Sequence, residues 1–277
     1  MINALSIDVE EYYQINALSG VLDMGMWDSA PSTVERNTSL VLDILDSEDV
    51  KATFFCLGWV ARRNAGIVRR IHDRGHEVAC HGYSHILVNR QSPGEFEQDV
   101  KTAKSLIEDT IGERVIGYRA PTYSITRKTS WAIPILEEAG FRYDSSIFPI
   151  YHDTYGIPEA PRFPHRIEGT SLVEFPMSTL RVCRMNLPVC GGGYFRLLPY
   201  TATRFALRSI ERSGMPFIFY LHPWEIDPDT PRVAGMQPLA RFRTYTGIPG
   251  ARAKFALLLK DFAFAPVKDV LAGMGLL

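Results

Sequence analysis

Short apolar runs alternate with segments of helical periodicity over the first half of the chain. Runs rich in β-branched and aromatic residues predict strands at Ala4–Val9, Ala52–Leu57, Glu77–Cys80, Ile116–Arg119 and Phe141–Asp144. Between them, apolar residues at helical spacing predict helices at Ser32–Ser47, Gly58–Arg74, Pro93–Ile111 and Thr126–Ala139. This repeated β–α order predicts parallel strands that are covered by helices.

The alternation breaks after about residue 149. Residues 149–193 are rich in Pro, Gly, Arg and aromatics, and they predict inserted loops and short strands. A helix at Thr201–Ser213, an apolar strand at Pro216–Leu221 and a helix at Ala251–Ala263 are predicted beyond it, with a loop at 228–250. We therefore expect a single domain with a core of about 1–150 and 201–227, an insertion of about 151–200 and a C-terminal extension at 228–277.

Composition and charge exclude several classes of protein. Of 277 residues, 46% are hydrophobic and 22% charged, which is ordinary for a globular domain, and the net charge is −1. Such a balance gives no electrostatic case for nucleic acid as a partner. Residues 1–12 have no leader-like pattern, and no run of 18 apolar residues occurs, so we expect a cytoplasmic protein, with peripheral association at the inner membrane left open.

Polar residues suited to metal binding or proton transfer follow the predicted strands one after another. The carboxyl ends of parallel strands form one edge of an α/β fold, where ligands bind. We therefore expect one site to contain the residues at these ends, namely Asp8, Glu10, His81, His85, Arg119, Asp144 and His222.

Two local patterns refine this site. His81 and His85 share one face if the segment HGYSH is a helical turn, and imidazole is a preferred zinc ligand. The spacing alone is weak evidence, because His72 and His76 share it and are expected to be structural. Asp8 and Glu10 project to the same side of an extended chain, which suits a metal ligand beside a general base.

Taken together, five segments resemble a known family. In chain order they are SIDVE at 6–10, HGYSH at 81–85, YRAPTY at 118–123, DSS at 144–146 and FYLHP at 219–223. They resemble the polysaccharide deacetylases with a NodB-homology domain, carbohydrate esterase family 4. The segments DVEEY, YGIPEAPRFPH and FYLHPWEIDP further resemble the subfamily that is associated with exosortase and PEP-CTERM exopolysaccharide gene clusters.

The resemblance implies a distorted (β/α)7-type barrel and a metal-dependent hydrolase that removes the N-acetyl group of an amino sugar. It implies that the partner is an N-acetylated saccharide. Matched position by position, the resemblance implies that Asp8 is the base and that Arg119 orients it. It implies that His81 and His85 bind the metal. It further implies that His222 protonates the leaving amine and that Asp144 is the acid that holds this histidine.

Two departures from the family pattern, and the identity of the ion, leave alternatives open. Val9 occupies the usual position of the metal-binding Asp, so Glu10 is the expected ligand and Glu11 the alternative. Thr122 intervenes between Pro121 and Tyr123, so the oxyanion N–H belongs to Thr122 or to Tyr123. The ion is expected to be Zn²⁺, with Co²⁺ or Ni²⁺ possible for the same donors.

Other functions remain open at this stage. A same-fold amidase that acts on a small cyclic amide, as allantoinase-like relatives do, fits the same motifs. A catalytically inactive carbohydrate-binding protein is a further alternative. Trp224 either lines a sugar site or packs in the core, and the sequence does not indicate an oligomeric state.

Overall fold

A computed structural model describes residues 1–152 and 154–277. Its strands are β1 (Ile2–Val9), β2 (Thr53–Cys56), β3 (Glu77–Cys80), β4 (Gly117–Tyr118), β5 (Tyr143–Asp144), β6 (His165–Arg166), β7 (Val173–Glu174), β8 (Thr179–Val182), β9 (Met185–Pro188), β10 (Ile218–Leu221) and β11 (Ala263–Ala265). Its helices are α1 (Val34–Ser47), α2 (Gly58–Arg63), α3 (Ala65–Asp73), α4 (Pro93–Ile111), α5 (Ala132–Glu138), α6 (Gly192–Leu197), α7 (Tyr200–Glu211), α8 (Pro238–Tyr245), α9 (Ile248–Asp261) and α10 (Val267–Gly273).

In the described part of the chain, nine strands form one curled sheet in the order β10-β1-β2-β3-β4-β5-β7-β6, with β11 added to β1. All pairs in it are parallel except β6 with β7. Strand β1 lies between β10 and β2, in the registers Ala4 to Ile218 and Ser6 to Thr53. The α/β fold predicted from the sequence is confirmed as a curled half-barrel of parallel strands, and its carboxyl ends lie at one edge.

Burial explains why the central strands are apolar along their whole length. Every residue of β2 and of β10 is buried, as expected for parallel strands that are covered on both faces. Helix α4 begins and ends at the residues predicted. Ser92 and Glu95 form a capping box at its start, and Gly112 ends it in the left-handed conformation with φ 71°.

Three predicted elements differ from the structure. The helix predicted at 58–74 is two helices, because Asn64 leaves helical geometry with φ −125° and ψ 44°. The helix predicted from Thr126 begins as a separate 3₁₀ turn, Arg127–Thr129, ahead of α5. The loop predicted at 228–250 contains α8, which starts at Pro238, where a fixed φ suits the first helical turn.

The predicted insertion returns to the sheet through Gly191. Strand β7 pairs with β5, while β8 and β9 form a separate antiparallel hairpin. Gly191 then pairs with Tyr220 of β10 at φ 130°, and a Cβ atom there would lie 1.9 Å from the Tyr220 carbonyl oxygen. Only glycine permits this approach, which holds β10, the strand that His222 follows.

The described residues contain no helix with the length and apolar character needed to cross a membrane. The four cysteines are free thiols, of which Cys56, Cys80 and Cys190 are buried and Cys183 is exposed.

Candidate active site

Ten polar and aromatic side chains converge on a cavity of about 190 Å³ at the carboxyl edge of the sheet. Asp8 is the second-last residue of β1, and Glu10 follows that strand. His81 follows β3, and His222 follows β10. Ile15 and Ala120 complete the wall, together with Asn16, His85, Thr122, Tyr123, Tyr155 and Tyr220. The parallel sheet therefore brings residues from distant parts of the sequence to one place.

Glu10, His81 and His85 form the group with metal-ligand geometry in the described residues, with ligand atoms within 4.8 Å of one another. All three side chains are buried. Oε2 of Glu10 lies 2.7 Å from Nε2 of His85 and 3.9 Å from Nε2 of His81. His85 has φ 52°, a left-handed conformation that turns its side chain toward the other two.

The donor set fits a divalent cation. Nδ1 of His81 lies 2.7 Å from the carbonyl oxygen of Arg119, so this nitrogen carries the proton and Nε2 carries a lone pair. Burial, and next the neighbouring His85, lower the pKa of His81 to about 3, which favours the neutral ligand form. Oε2 of Glu10 is buried and has no hydrogen-bond partner of good geometry among the described residues. A metal ion would satisfy this acceptor together with the Nε2 lone pair of His81.

The alternative ligand, Glu11, faces the other way. Its Oε2 accepts the backbone N–H of Thr33 at 2.9 Å, and its Oε1 accepts the Ser32 hydroxyl. It therefore binds the orphan donors at the start of α1, while Glu10, on the opposite side of the chain, faces the histidines. The geometry favours Glu10 as the ligand.

Asp8 and Arg119 form a buried ion pair. Nη1 of Arg119 donates to Oδ1 of Asp8 at 2.6 Å and to Ser6 Oγ at 2.9 Å. Nη2 and Nε donate to the hydroxyl and carbonyl of Ser145 at 3.0 and 3.1 Å, and the guanidinium lies 4.1 Å above the Phe55 ring. Because these contacts fix Arg119, the orientation of the Asp8 carboxylate is fixed as well.

His222 is held by Glu225 and not by Asp144, so the partner predicted for it is wrong. Nδ1 of His222 lies 3.1 Å from Oε2 of Glu225, and Nε of Arg196 donates to Oε1 of Glu225 at 2.8 Å. Burial opposes the ionisation of Glu225, but the charge of Arg196, followed by that of His222, lowers its pKa to about 2. Burial likewise disfavours protonated His222, yet the charges of Glu10 and Glu225 raise its pKa to about 9.

Asp144 belongs to the wall behind the site. It accepts a hydrogen bond from the Ser146 hydroxyl, and that hydroxyl oxygen accepts the Ala120 N–H at 2.8 Å. Its other neighbour is Glu174, whose pKa is raised by burial and by the charge of Asp144. Burial raises the pKa of Asp144 to about 6. Because a parallel strand pair joins Asp144 to Glu174, its carboxylate faces β7 instead of His222.

Trp224 does not line the cavity. Its side chain is buried, with 3% of the residue exposed, and its ring stacks on His222 at 5.4 Å and 20°. The sugar-wall alternative for Trp224 is therefore wrong, and the core alternative holds. The ring backs the imidazole and limits its rotation.

The backbone conformation distinguishes the two candidate oxyanion donors, the N–H groups of Thr122 and Tyr123. Thr122 and Tyr123 both have positive φ, 54° and 51°, which is strained for residues with side chains. The N–H of Tyr123 donates to the carbonyl of Ala120 at 3.1 Å. Thr122 lines the cavity, and no backbone acceptor for its N–H occurs among the described residues. The backbone geometry therefore favours Thr122 over Tyr123, and the oxyanion role itself stays a prediction.

Several residues of the site escape sequence reasoning. Ser6 and Ser145 bind Arg119, Glu225 binds His222, and Tyr155 and Tyr220 line the cavity. Tyr220 could have been found from strand alternation, because it lies two residues before His222 and shares its side. Tyr155 comes from the irregular insertion, where no pattern indicates a direction.

Two family models divide the chain. Residues 24–143 match the model described as polysaccharide deacetylase, and residues 145–272 match a domain of unknown function, DUF3473. The cavity takes His81, His85 and Thr122 from the first match, and Tyr155, Tyr220 and His222 from the second.

Curated relatives are similar over part of their length. A bifunctional xylanase/deacetylase of Pseudobutyrivibrio xylanivorans is 36% identical over 100 residues, which are 36% of this chain and 16% of the relative. The peptidoglycan-N-acetylglucosamine deacetylase PgdA of Listeria monocytogenes is 39% identical over 85 residues, which are 30% of this chain and 18% of the relative. The match therefore covers less than a fifth of either relative.

Solved structures share the fold along nearly the whole chain. A Mycobacterium smegmatis protein described as a polysaccharide deacetylase has a TM-score of 0.64 at 20% identity, covering 98% of this chain and 88% of the other. The structure described as Puue allantoinase has a TM-score of 0.60 at 17% sequence identity, and the match covers 96% of this chain and 87% of the other. A CE4 family pseudoenzyme from Bacillus anthracis has a TM-score of 0.52 at 15% sequence identity, and the match covers 98% of this chain and 65% of the other. At these identities the likeness shows the fold alone.

Proposed function

We propose that this chain, whose residues 24–143 match the polysaccharide deacetylase family, is a metal-dependent hydrolase that removes the N-acetyl group of an amino sugar. One observation carries the proposal. A base held by arginine, a Glu–His–His cluster and a histidine held by glutamate all line a single cavity of about 190 Å³. Each is a group that amide hydrolysis needs, and they are brought together from the ends of β1, β3 and β10.

Glu10, His81 and His85 would hold the metal. When bound, a divalent ion of the Zn²⁺ type polarises the acetyl carbonyl and lowers the pKa of a water molecule. Three protein ligands leave a coordination position open, as in catalytic zinc sites. Zn²⁺ is the proposed ion, and Co²⁺ or Ni²⁺ suit the same donors.

Asp8 acts as the general base. Its carboxylate lies at the cavity wall and is oriented by Arg119, so one oxygen takes a proton from the attacking water. The new C–O bond turns the carbonyl oxygen into an oxyanion, and the Thr122 N–H donates to it. The strained backbone of Thr122 and Tyr123 fixes that N–H in advance.

His222 acts as the general acid. An amine leaves poorly as an anion, so breaking the C–N bond requires a proton at nitrogen. Nδ1 of His222 is held by Glu225, and its Nε2 lies 3.4 Å from Oε1 of Glu10, at the cavity. Nε2 therefore delivers the proton, and the products are acetate and a free amino sugar.

The finer identity of the substrate is also a proposal. The likeness of the DVEEY and HPWEIDP segments to an exopolysaccharide subfamily supports an N-acetylated exopolysaccharide or its precursor. We propose one catalytic domain, which the pairing of β7 with β5 across the two family matches supports. Three buried free thiols support a reducing compartment, and the proposed location is the cytoplasm.

The test is acetate release from N-acetylglucosamine oligomers by purified protein loaded with Zn²⁺, Co²⁺ or Ni²⁺. We expect acetate with metal, loss of activity with a chelator, and recovery when metal is restored. Hydrolysis of allantoin without acetate release from sugars would assign the allantoinase-like function instead. Protein that binds no metal and hydrolyses neither substrate would support an inactive saccharide-binding protein.

A further inference from the structure

The antiparallel hairpin of β8 and β9 has its apolar face turned outward. Its register pairs Val182 with Met185, and Leu180 with Leu187. Because paired residues and alternate residues of a strand project to the same side, these four side chains share one face of the hairpin. Leu180 packs against the core, whereas Val182, Met185 and Leu187 are 40%, 63% and 39% exposed. These three exposed residues form what we call the hairpin patch.

The other face of the hairpin is polar and lies against the protein. Nη1 of Arg181 donates to Oδ1 of Asn186 at 2.8 Å. Nδ2 of Asn186 in turn donates to the carbonyl oxygens of Pro149 and Pro158, at 2.7 and 3.4 Å. Tyr155, which lines the active-site cavity, lies in the segment between these two prolines. The hairpin is therefore fastened beside the active site by its polar side, the reverse of the usual arrangement in which the apolar side covers the core.

The arginines along the hairpin carry charges that no acidic group balances in the described part of the chain. Arg181 also donates to the carbonyl of Cys183 at 3.2 Å, and Arg162 donates to the hydroxyl and the carbonyl of Thr179 at 3.1 and 2.5 Å. All of these acceptors are neutral. Arg184, in the exposed turn, has no ion-pair partner among the described residues. Burial, and next the charge of Arg181, lower the pKa of Arg162.

Apolar side chains beside uncompensated cations complement an anionic lipid surface. Residues 175–210 contain five arginines and no acidic residue, although the whole chain has a net charge of −1. At a bilayer, apolar side chains enter the headgroup region while arginines bind lipid phosphates. A stable protein interface buries about 800 Å² on each partner, which three partly exposed side chains do not supply. Single-stranded nucleic acid stacks on aromatic side chains, and the hairpin patch has none.

We propose that the hairpin patch docks this protein on an anionic lipid bilayer. Val182, Met185 and Leu187 insert at the level of the headgroups, and Arg181 and Arg184 bind lipid phosphates. The binding is reversible and falls as salt is added, because a few apolar side chains and exposed charges provide it. It does not depend on the reaction in the active-site cavity. Since Asn186 joins the hairpin to the segment that carries Tyr155, docking holds the active-site edge of the sheet next to the bilayer.

The experiment is sedimentation of the full chain with vesicles of phosphatidylcholine alone, or of phosphatidylcholine with about one third phosphatidylglycerol. For the wild type at low salt, we expect binding to the anionic vesicles to be at least about tenfold tighter than to the neutral ones. A Val182→Thr, Met185→Thr double variant should bind the anionic vesicles about tenfold more weakly or less. Threonine suits a strand, so the variant should fold, and equal urea midpoints check this.

The charge and the depth of insertion are tested separately. Arg184→Gln should weaken binding to anionic vesicles by about fivefold and leave binding to neutral vesicles unchanged, since one arginine near the surface contributes about that factor. Cys183 is the exposed one of the four free thiols, and it lies in the hairpin turn. An environment-sensitive fluorophore on Cys183 should shift to the blue with anionic vesicles in the otherwise unchanged chain. An unshifted spectrum under conditions of full sedimentation would overturn docking by the hairpin.

A Leu239→Thr, Phe242→Thr double variant of α8 is the matched control. Both side chains are exposed, and they lie beside the exposed Arg241 and Arg243, so the variant removes a similar apolar pair from a similarly basic surface. It should leave vesicle binding unchanged. Loss of binding in this variant, with none in the hairpin variant, would place the docking surface on α8 and overturn the proposal. Equal sedimentation with and without anionic vesicles would also overturn it, as would a wild-type dimer that only the hairpin variant dissociates and that binds no vesicles.

Discussion

Nδ1 of His222 lies 3.1 Å from Oε2 of Glu225, and the same carboxylate oxygen accepts the backbone N–H of His222 at 2.9 Å. The other oxygen, Oε1, accepts from Nε of Arg196 in α6. Nη1 and Nη2 of Arg196 in turn donate to the carbonyls of Thr246 and Arg243. The imidazole is therefore oriented by a buried chain of contacts that starts in the C-terminal part of the fold.

Replacing Glu225 should impair amide hydrolysis selectively. Glu225→Gln keeps the size of the side chain but removes the charge that favours protonated His222. We expect kcat/KM on an N-acetyl amide to fall about tenfold or more, with a much smaller loss on an activated acetyl ester, whose leaving group needs no proton. The ratio of the two rates is the measurement, because a smaller folded fraction lowers both equally.

Asp144→Asn and Glu138→Gln are the control variants for Glu225→Gln. Asp144→Asn disturbs Ser146 and the Ala120 segment, so it should lower amide and ester rates together. Glu138 is exposed and remote, and Glu138→Gln should change neither rate. An amide-selective loss in Asp144→Asn, with none in Glu225→Gln, would restore Asp144 as the partner of His222.

Adjacent acids provide a matched test of the metal site. Glu10→Gln removes a ligand charge, and we expect the protein to lose stoichiometric Zn²⁺ in a metal analysis after dialysis. Glu11→Gln removes the charge and replaces one of the two acceptor oxygens at the start of α1 by an NH₂ group, and it should keep the metal while the free energy of unfolding falls by about 1 kcal/mol. Metal loss in Glu11→Gln and retention in Glu10→Gln would reverse the assignment.

Replacing Asp8 should lower turnover, whereas replacing Arg119 should lower the free energy of unfolding. Asp8→Asn keeps a polar side chain beside Arg119, so we expect retention of metal and at least about a hundredfold lower turnover. Arg119→Ala leaves the buried Asp8 carboxylate without its cation, and the free energy of unfolding should fall by about 3–5 kcal/mol. Turnover assays and urea titrations separate the two. Near-normal turnover in Asp8→Asn would remove the base role.

The strand ends were predictable because apolar runs are visible in the local sequence and parallel strands all point the same way. Apolar runs locate β1, β3 and β10 to within two residues, and parallel strands must bring their carboxyl ends to one edge. Asp8, Glu10, His81 and His222 therefore meet as expected. Their roles remain predictions, because shared position does not show chemistry.

The partner of His222 was not predictable in the same way. Glu225 follows His222 by three residues in a 3₁₀ turn, and that spacing alone does not distinguish a capping acid from a catalytic partner. Arg196 reaches it from a helix inside the irregular segment. Helix α8 was not predicted because it is only eight residues long, and too few apolar positions fall in it to establish a period.

His76, which the sequence predicts to be structural, should make the fold sensitive to acid. Its side chain is buried, and Nδ1 accepts the Ala52 N–H at 3.2 Å. A proton on Nδ1 would therefore face the Ala52 N–H, which is also a donor. Burial, and next the charge of Lys51, lower its pKa to about 4, against about 6.5 in an unfolded chain.

Above pH 6.5 the ring is neutral in both the folded and the unfolded state, and it contributes no pH dependence. Between about pH 6.5 and 4 only the unfolded state takes up the proton, so the free energy of unfolding falls as pH falls, by up to about 3 kcal/mol. His76→Gln keeps an acceptor for Ala52 but cannot titrate. Urea unfolding at pH 7, 5.5 and 4.5 should therefore show a weaker pH dependence in the variant. Identical slopes, or an NMR titration of His76 with a midpoint near 6.5, would contradict the prediction.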